Sequence, residues 1–355
     1  MWLKSRIKEY LNDPQVTIFL LISLFIVLLF YFLGQYLVPV FASIVLSYVL
    51  EGLIRPLERL KVPRSLAVFL VFMVFMSLSI FLLLWIIPLA IKQFGQFIQD
   101  LPSMITSGKA HLERFIQSYP KIVKNLQIDA VVSIFIGQIR EMGKNFLTYS
   151  LSSVMGLVNF LIYLVLVPLI SFFFLKDKEY ILSFIKGLLP DNIEFTSQVW
   201  REVNAKIARF LQGKIWELLI VWLASYIFFF IIHLKFALLL SLFVGISVLI
   251  PFVGAIAMTV PVVLVAYFQW GWSDKTLSTL IGYTILQFLD GNLLVPLLMS
   301  GFVNLHPVAI MIGVLIFGGL WGLWGVFFAI PLLTLLHTII KTWPRKKIKE
   351  EEDEG

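Results

Sequence analysis

The chain has no cysteine among its 355 residues. Disulfides, thiolate nucleophiles and cysteine-based metal sites are thereby excluded. Charge is scarce too: Asp, Glu, Lys and Arg make up 14% of the sequence, against about 25% in a soluble domain. The histidines, His111, His233, His306 and His337, are too scattered to form a metal cluster. The sequence contains no HExxH metal motif, no phosphate-binding lysine loop and no Gly-rich dinucleotide fingerprint. The GxSxG serine elbow is missing as well. These absences argue against an enzyme and imply neither cofactor nor metal. With no ATP site, uphill transport would need an ion gradient or a separate motor.

Apolar residues are abundant. They account for 60% of the chain, with Phe alone occurring 33 times, and mean hydropathy is +0.95. A soluble domain is about 45–50% apolar. Such a chain cannot cover its surface with polar groups, so lipid must be its solvent. The fold class read from this is an all-α polytopic membrane protein with about eight hydrophobic segments. They are Val16–Leu33, Leu37–Leu50 with its flanks, Leu66–Ile91, Leu151–Leu175, Ile215–Ile232, Phe236–Trp270, Leu277–Met299 and Val308–Ile340. No small-residue cleavage site follows the first run, which reads as a span rather than a signal peptide.

The formal charge of +7 does not point to nucleic acid, because the basic residues form no aromatic-interleaved patch of the kind that binds strands. They flank the apolar runs instead: Lys4, Arg6 and Lys8; Arg55, Arg59, Lys61 and Arg64; Lys176 and Lys178; and Lys341, Arg345, Lys346, Lys347 and Lys349. By the positive-inside rule these flanks, and both termini, are cytoplasmic. The organisation expected is N-terminal spans over 1–91 and short amphipathic helices on the outer face over 92–150. A span at 151–175 leads to a cytoplasmic helical region at 176–214. A transport core over 215–340 is followed by a charged tail at 341–355. In the cytoplasmic region Val199, Val203, Ile207, Phe210 and Leu211 recur at helical spacing and form one apolar face.

The runs starting at Phe236 and Val308 exceed one crossing, and both are interrupted. The first holds Gly245 to Pro261 with Pro251 and Gly254 between. The second holds Gly313 to Pro331 with Gly318, Gly319, Gly322 and Gly325 between. Pro removes a backbone donor, and Gly permits positive φ. Breaks in lipid survive only when buried in protein or lining a wet cavity. Paired interruptions in two halves are a pointer to a transporter site. The alternatives are a weak repeat of re-entrant hairpins or a pair of Pro-kinked spans.

Between these runs lies LQFLDGNLLVPLLMSGFVNLHP, residues 286–307. It concentrates Asp290, Gly291, Asn292, Pro296, Asn304, His306 and Pro307 in an apolar setting. A charge at a helix centre in a membrane costs about 2.5–3.5 kcal/mol on insertion scales, so Asp290 needs a reason. It is a candidate ion or proton site or a contact for a hydroxylated ligand; the structural alternative is a cap on a helix break before Gly291. Asn292 and Asn304 offer donor and acceptor together. An imidazole can exchange a proton, which makes His306 a candidate; the alternative is an interfacial polar group. Glu217, just inside the Ile215 span, is a further ion candidate, with pairing to Lys214 or snorkelling as the structural alternatives.

Five stretches together resemble the autoinducer-2 exporter family of bacterial membrane transporters, and within it a permease subgroup. They are LVPLISFFFLKDKE (166–179), VLIPFVGAIAMTVPVV (248–263), LDGNLLVPLL (289–298), NLHP (304–307) and FGGLWGLWGVFFAIPL (317–332). The resemblance covers essentially the whole chain. It implies about eight hydrophobic helical segments, the bacterial inner membrane and a homo-oligomer, with a pentamer favoured. It places the family's acidic position before Gly-Asn at Asp290 and its Leu-His-Pro at 305–307. The function it implies is secondary transport or export of a small polar solute of the autoinducer-2 type, or exchange of a monovalent cation for protons. A membrane scaffold or a passive channel are the competing classes. A scaffold would not need the intramembrane polar cluster.

Overall fold

The structure is a computed structural model and describes residues 14–118, 137, 154–187, 194–251, 253–299 and 306–342. Asn304 lies outside the described residues. Among the described residues every regular element is a helix: α1 (Pro14–Arg59), α2 (Arg64–Phe81), α3 (Ile87–Ser118), α4 (Val154–Lys176), α5 (Lys178–Gly187), α6 (Glu194–Ile231), α7 (Ala237–Ser247), α8 (Val253–Trp270), α9 (Asp274–Leu289), α10 (Val295–Leu298) and α11 (Pro307–Thr342). π turns at Leu82–Ile86 and Asp290–Leu294 join α2 to α3 and α9 to α10.

Six of these helical stretches are long and apolar enough to cross a membrane, and the α4–α5 pair, bent by 77°, makes a seventh. The short apolar α7 belongs with α8 to the expected Phe236–Trp270 segment. The first two expected spans form one helix of 46 residues, about 69 Å long at 1.5 Å per residue. Only Gly34, Gln35 and Tyr36 separate the two runs, and a glycine in a helix costs only about 1 kcal/mol. Residues 92–118 likewise continue a helix that starts at Ile87, with Pro102 inside it, rather than forming several short ones.

The chain falls into two compact units. Unit 1 comprises 1–52, 167–211 and 301–355. Its α1–α4 contact is a serine ladder. Ser43 Oγ donates to Pro39 O at 2.6 Å and to Val167 O at 3.1 Å, and Ser171 Oγ donates to Val167 O at 2.7 Å and Ser43 O at 3.1 Å. Small hydroxylated residues let two backbones approach in lipid. Glu51 pairs with Lys178 at 2.6 Å, and Tyr48 donates to Asn204. The apolar face of α6 packs Val199, Val203 and Ile207 against Leu335 and Ile339 of α11.

α11 is not one straight helix. At Trp321 (φ −129°, ψ 15°) and Gly322 (φ 60°, ψ −137°) the backbone leaves helical geometry. A Cβ on Gly313 would overlap the Leu333 side chain, though along a straight helix those residues would sit about 30 Å apart. A Cβ on Gly325 would fall on the carbonyl of Phe317. The chain therefore folds back into a helical hairpin whose tip is Gly322.

Unit 2 comprises 53–166 and 212–300. Its core contains Phe229, Val244, Val262, Ala266 and Tyr283. Here α7 and α8 form a second hairpin around a break that includes 248–251. A Cβ on Gly254 would fall on the Ser247 carbonyl. The two hairpins thus share a device: a glycine early in the second arm meets the carbonyl seven or eight residues back. Gln269 clamps the hairpin base by accepting from Lys235 N at 2.8 Å and donating to His233 O at 3.0 Å. Gln93 of α3 accepts from Leu239 N at 3.1 Å, satisfying one of the donors that a helix N-terminus leaves open.

Several expected break positions do not break the chain. Pro261 and Pro331 lie inside α8 and the second arm of α11; each forfeits one donor, and the helix continues. Gly291 sits in a π turn that widens the helix without ending it. Pro296 follows the π turn at the start of α10; it too forfeits one donor, and the helix continues. Gly318 and Gly319 belong to the first arm of α11. Pro251 lies in the first break, and Gly322 makes the second reversal.

Candidate functional site

The polar residues of unit 2 gather around the tip of the α7–α8 hairpin. α6 passes the tip with Gly213, Lys214 and Glu217 on its buried side. Lys214 and Glu217 are 5% and 2% exposed. Being three residues apart, they are neighbours on one helical face. Lys214 Nζ donates to Glu217 Oε1 at 3.0 Å and lies 2.9 Å from Oε2. It also donates to Val248 O at 2.9 Å. Val248 is the C-cap of α7, so the ammonium sits at the negative end of that helix. Glu217 Oε2 receives no aligned hydrogen bond from the described residues.

α9 and the π turn supply the other wall. Tyr283, Gln287 and Asp290 are spaced i, i+4, i+7 and share a face. Tyr283 Oη donates to Ala255 O at 3.1 Å, in the first turn of α8, and accepts from Gln287 Nε2 at 2.6 Å. Asp290 lies within electrostatic range of Lys214, Glu217 and Tyr283. Its Oδ1 is buried and has no hydrogen-bond partner among the described residues. The alternative of a capping role finds no contact among the described residues, since no side chain caps the π turn and Asp290 itself has helical φ and ψ. Farther along α6, Trp222 Nε1 and Ser225 Oγ are also buried without partners among the described residues. From Lys214 to Ser225 this polar stripe extends about 16 Å along the helix.

Gly245 and Gly213 let α6 come this close. A Cβ at Gly245 would lie 2.6 Å from Trp222 Cβ and 3.2 Å from Leu218 O. One at Gly213 would lie 3.0 Å from Met299 Cγ and 3.1 Å from Leu298 O.

The other sequence candidates are placed differently. Asn292 is exposed and donates to Phe288 O in its own helix at 2.9 Å. His306 belongs to unit 1. It is exposed and begins α11, accepting from Val308 N through Nδ1 at 3.3 Å and from Ala309 N through its carbonyl at 2.8 Å. That is the work of an N-terminal cap. Among the described residues no three His, Asp or Glu side chains converge on a metal-sized site.

The profile of the AI-2E family transporters matches residues 20–345. The chain belongs to this family. It is 39% identical over 96% of its length to a protein of Escherichia coli K12 named as the permease PerM, of which 96% is covered. It is 27% identical over 90% of its length to the Bacillus subtilis protein YueF, named for transport, of which 89% is covered. A third relative, from Thermotoga maritima and also named for transport, is 26% identical over 82% of the chain, with 85% of its own length covered. The chain is accordingly a multi-pass membrane transporter of the AI-2E family and not an enzyme.

Sequence reasoning named Glu217 and Asp290 separately. It missed Tyr283, Gln287 and the Val248 carbonyl as their companions. The spacing 283, 287, 290 was a visible signal for one face of a helix. The contact between that face and the hairpin tip is tertiary and leaves no periodicity.

Proposed function

We propose that this AI-2E family protein is a secondary transporter whose path runs past the α7–α8 hairpin tip, lined by Lys214, Glu217, Tyr283 and Asp290. The supporting observation is the cluster itself: a buried ion pair tied to the carbonyl end of a broken helix, beside a carboxylate oxygen with no hydrogen-bond partner among the described residues. Orphaned polar atoms are costly away from water, and functional intramembrane charges face interiors or aqueous paths. Half-helix ends at broken segments are used in transporters to hold ions and polar solutes. The cargo fitting these groups is a monovalent cation or proton, or a small polar solute of the autoinducer-2 type.

The remaining features follow from the charge pattern and the family. The protein sits in the bacterial inner membrane with both termini cytoplasmic. It works as a homo-oligomer, a pentamer by family resemblance. The hairpins move against the frame supplied by the long helices. Flux into proteoliposomes tests the reading, with radiolabelled sodium, a pH-sensitive dye and an autoinducer-2-type furanone measured side by side. Protein-dependent, gradient-driven movement of at least one of them is expected. Stepwise electrical currents would indicate a channel instead, and the absence of all three fluxes would refute this reading.

A further inference from the structure

The ammonium of Lys214 has the surroundings of a bound metal cation. Three oxygens surround it, Glu217 Oε1 at 3.0 Å, Glu217 Oε2 at 2.9 Å and Val248 O at 2.9 Å. Carboxylate and main-chain carbonyl oxygens are what a hard cation takes. A carbonyl at the end of a half-helix is a recurrent ion ligand in transporters. The group is nearly closed to solvent, with the two side chains 6% and 3% exposed. Asp290 Oδ1, in electrostatic range of the ammonium, has no hydrogen-bond partner among the described residues.

Charge balance then decides the ligand. With both carboxylates ionised, Lys214, Glu217 and Asp290 together carry one negative charge in excess. In a low-dielectric interior an uncompensated charge is unfavourable. One monovalent cation brings the group to neutrality, whereas a divalent ion leaves it positive. We infer that Glu217 and the Val248 carbonyl form a site for one monovalent metal cation, whose resident occupant is the Lys214 ammonium. An arriving cation takes the three-oxygen nest, and the ammonium swings onto Asp290 Oδ1. The tie from α6 to the hairpin tip then passes through the cation. The place of this exchange in a transport cycle rests on the reading above; the binding site does not.

The test is equilibrium binding of radiolabelled sodium to the purified full-length protein, in N-methylglucamine buffer at fixed pH. Lys214→Gln removes the competing ammonium and is expected to bind sodium at least tenfold more tightly than wild type, at one ion per chain. Lys214→Arg keeps a resident cation and should retain the weak wild-type affinity. Adding Glu217→Gln to Lys214→Gln should abolish the gain. Asp290→Asn, made in the wild-type background, removes the second seat of the ammonium. It should weaken sodium binding at least tenfold, which gives an independent measurement should Lys214→Gln fold poorly. Lys214→Gln that binds sodium no better than wild type would overturn the inference. So would a gain that survives loss of Glu217, or Asp290→Asn with unchanged affinity. Binding as expected without any flux would leave the site standing and remove only the transport reading.

Discussion

Removing Lys214 alone should be far more harmful than removing it together with Glu217. Lys214→Ala leaves the Glu217 carboxylate, 2% exposed, without its counter-charge and strands the Val248 carbonyl. Breaking a buried pair from one side costs about 3–5 kcal/mol. At about 1.4 kcal/mol per factor of ten, that lowers the ratio of folded to unfolded protein by about two to three and a half orders of magnitude. Replacing both, as Lys214→Met with Glu217→Leu, removes both desolvation penalties and keeps most of the volume. Such exchanges are neutral or stabilising by about 1–4 kcal/mol. The double variant should therefore be more stable than either single charge deletion, a large non-additivity expected for groups in contact. The assay is a denaturant or thermal titration of the purified protein, in N-methylglucamine buffer so that no small cation replaces the ammonium. A Lys214→Ala cost below about 1 kcal/mol, the value of an exposed pair, would refute the reasoning. It would mean that water reaches the carboxylate and that the pair is not a closed site.

Three further substitutions probe the frame around the cluster. Gly322→Ala forces a side chain into φ 60°, ψ −137° and should destabilise the α11 hairpin by about 1–3 kcal/mol, read as a lowered melting temperature. Gly254→Ala places a methyl on the Ser247 carbonyl; the tip must open, at about 1–3 kcal/mol for overpacking. Labelling of a single cysteine introduced at Ile250 should then accelerate, as the natural chain contains no other cysteine. Tyr283→Phe loses the bond to Ala255 O and the acceptor for Gln287 Nε2, and should cost about 1–3 kcal/mol because buried partners are left unsatisfied, measured by the same titration.

Much of the fold was legible because lipid imposes simple rules. Runs near 20 apolar residues announced the spans, and Pro251 and Gly322 announced the breaks, since both act through the backbone itself. Pro261 and Pro331 misled for the same reason in reverse: a lost donor need not end a helix when the rest of the ladder and neighbouring helices support it. The fusion of two expected spans into α1 depended on Gly34 being too weak a breaker to stop a helix. At the site, Asp290 was visible as an intramembrane carboxylate, and Glu217 with Lys214 as a local pair. That Lys214 reaches Val248, 34 positions away, depends on α6 docking against the hairpin, and no local pattern encodes it.

The cluster at the hairpin tip as the transport path is most directly tested by Asp290→Asn in proteoliposomes. The amide keeps the shape of the side chain, so assembly should match wild type on size-exclusion chromatography, while it can neither titrate nor attract the ammonium. Loss of gradient-driven flux with an intact assembly is the expected result. Asp290→Asn protein that transports at the wild-type rate, with the same dependence on pH and sodium, would contradict the account.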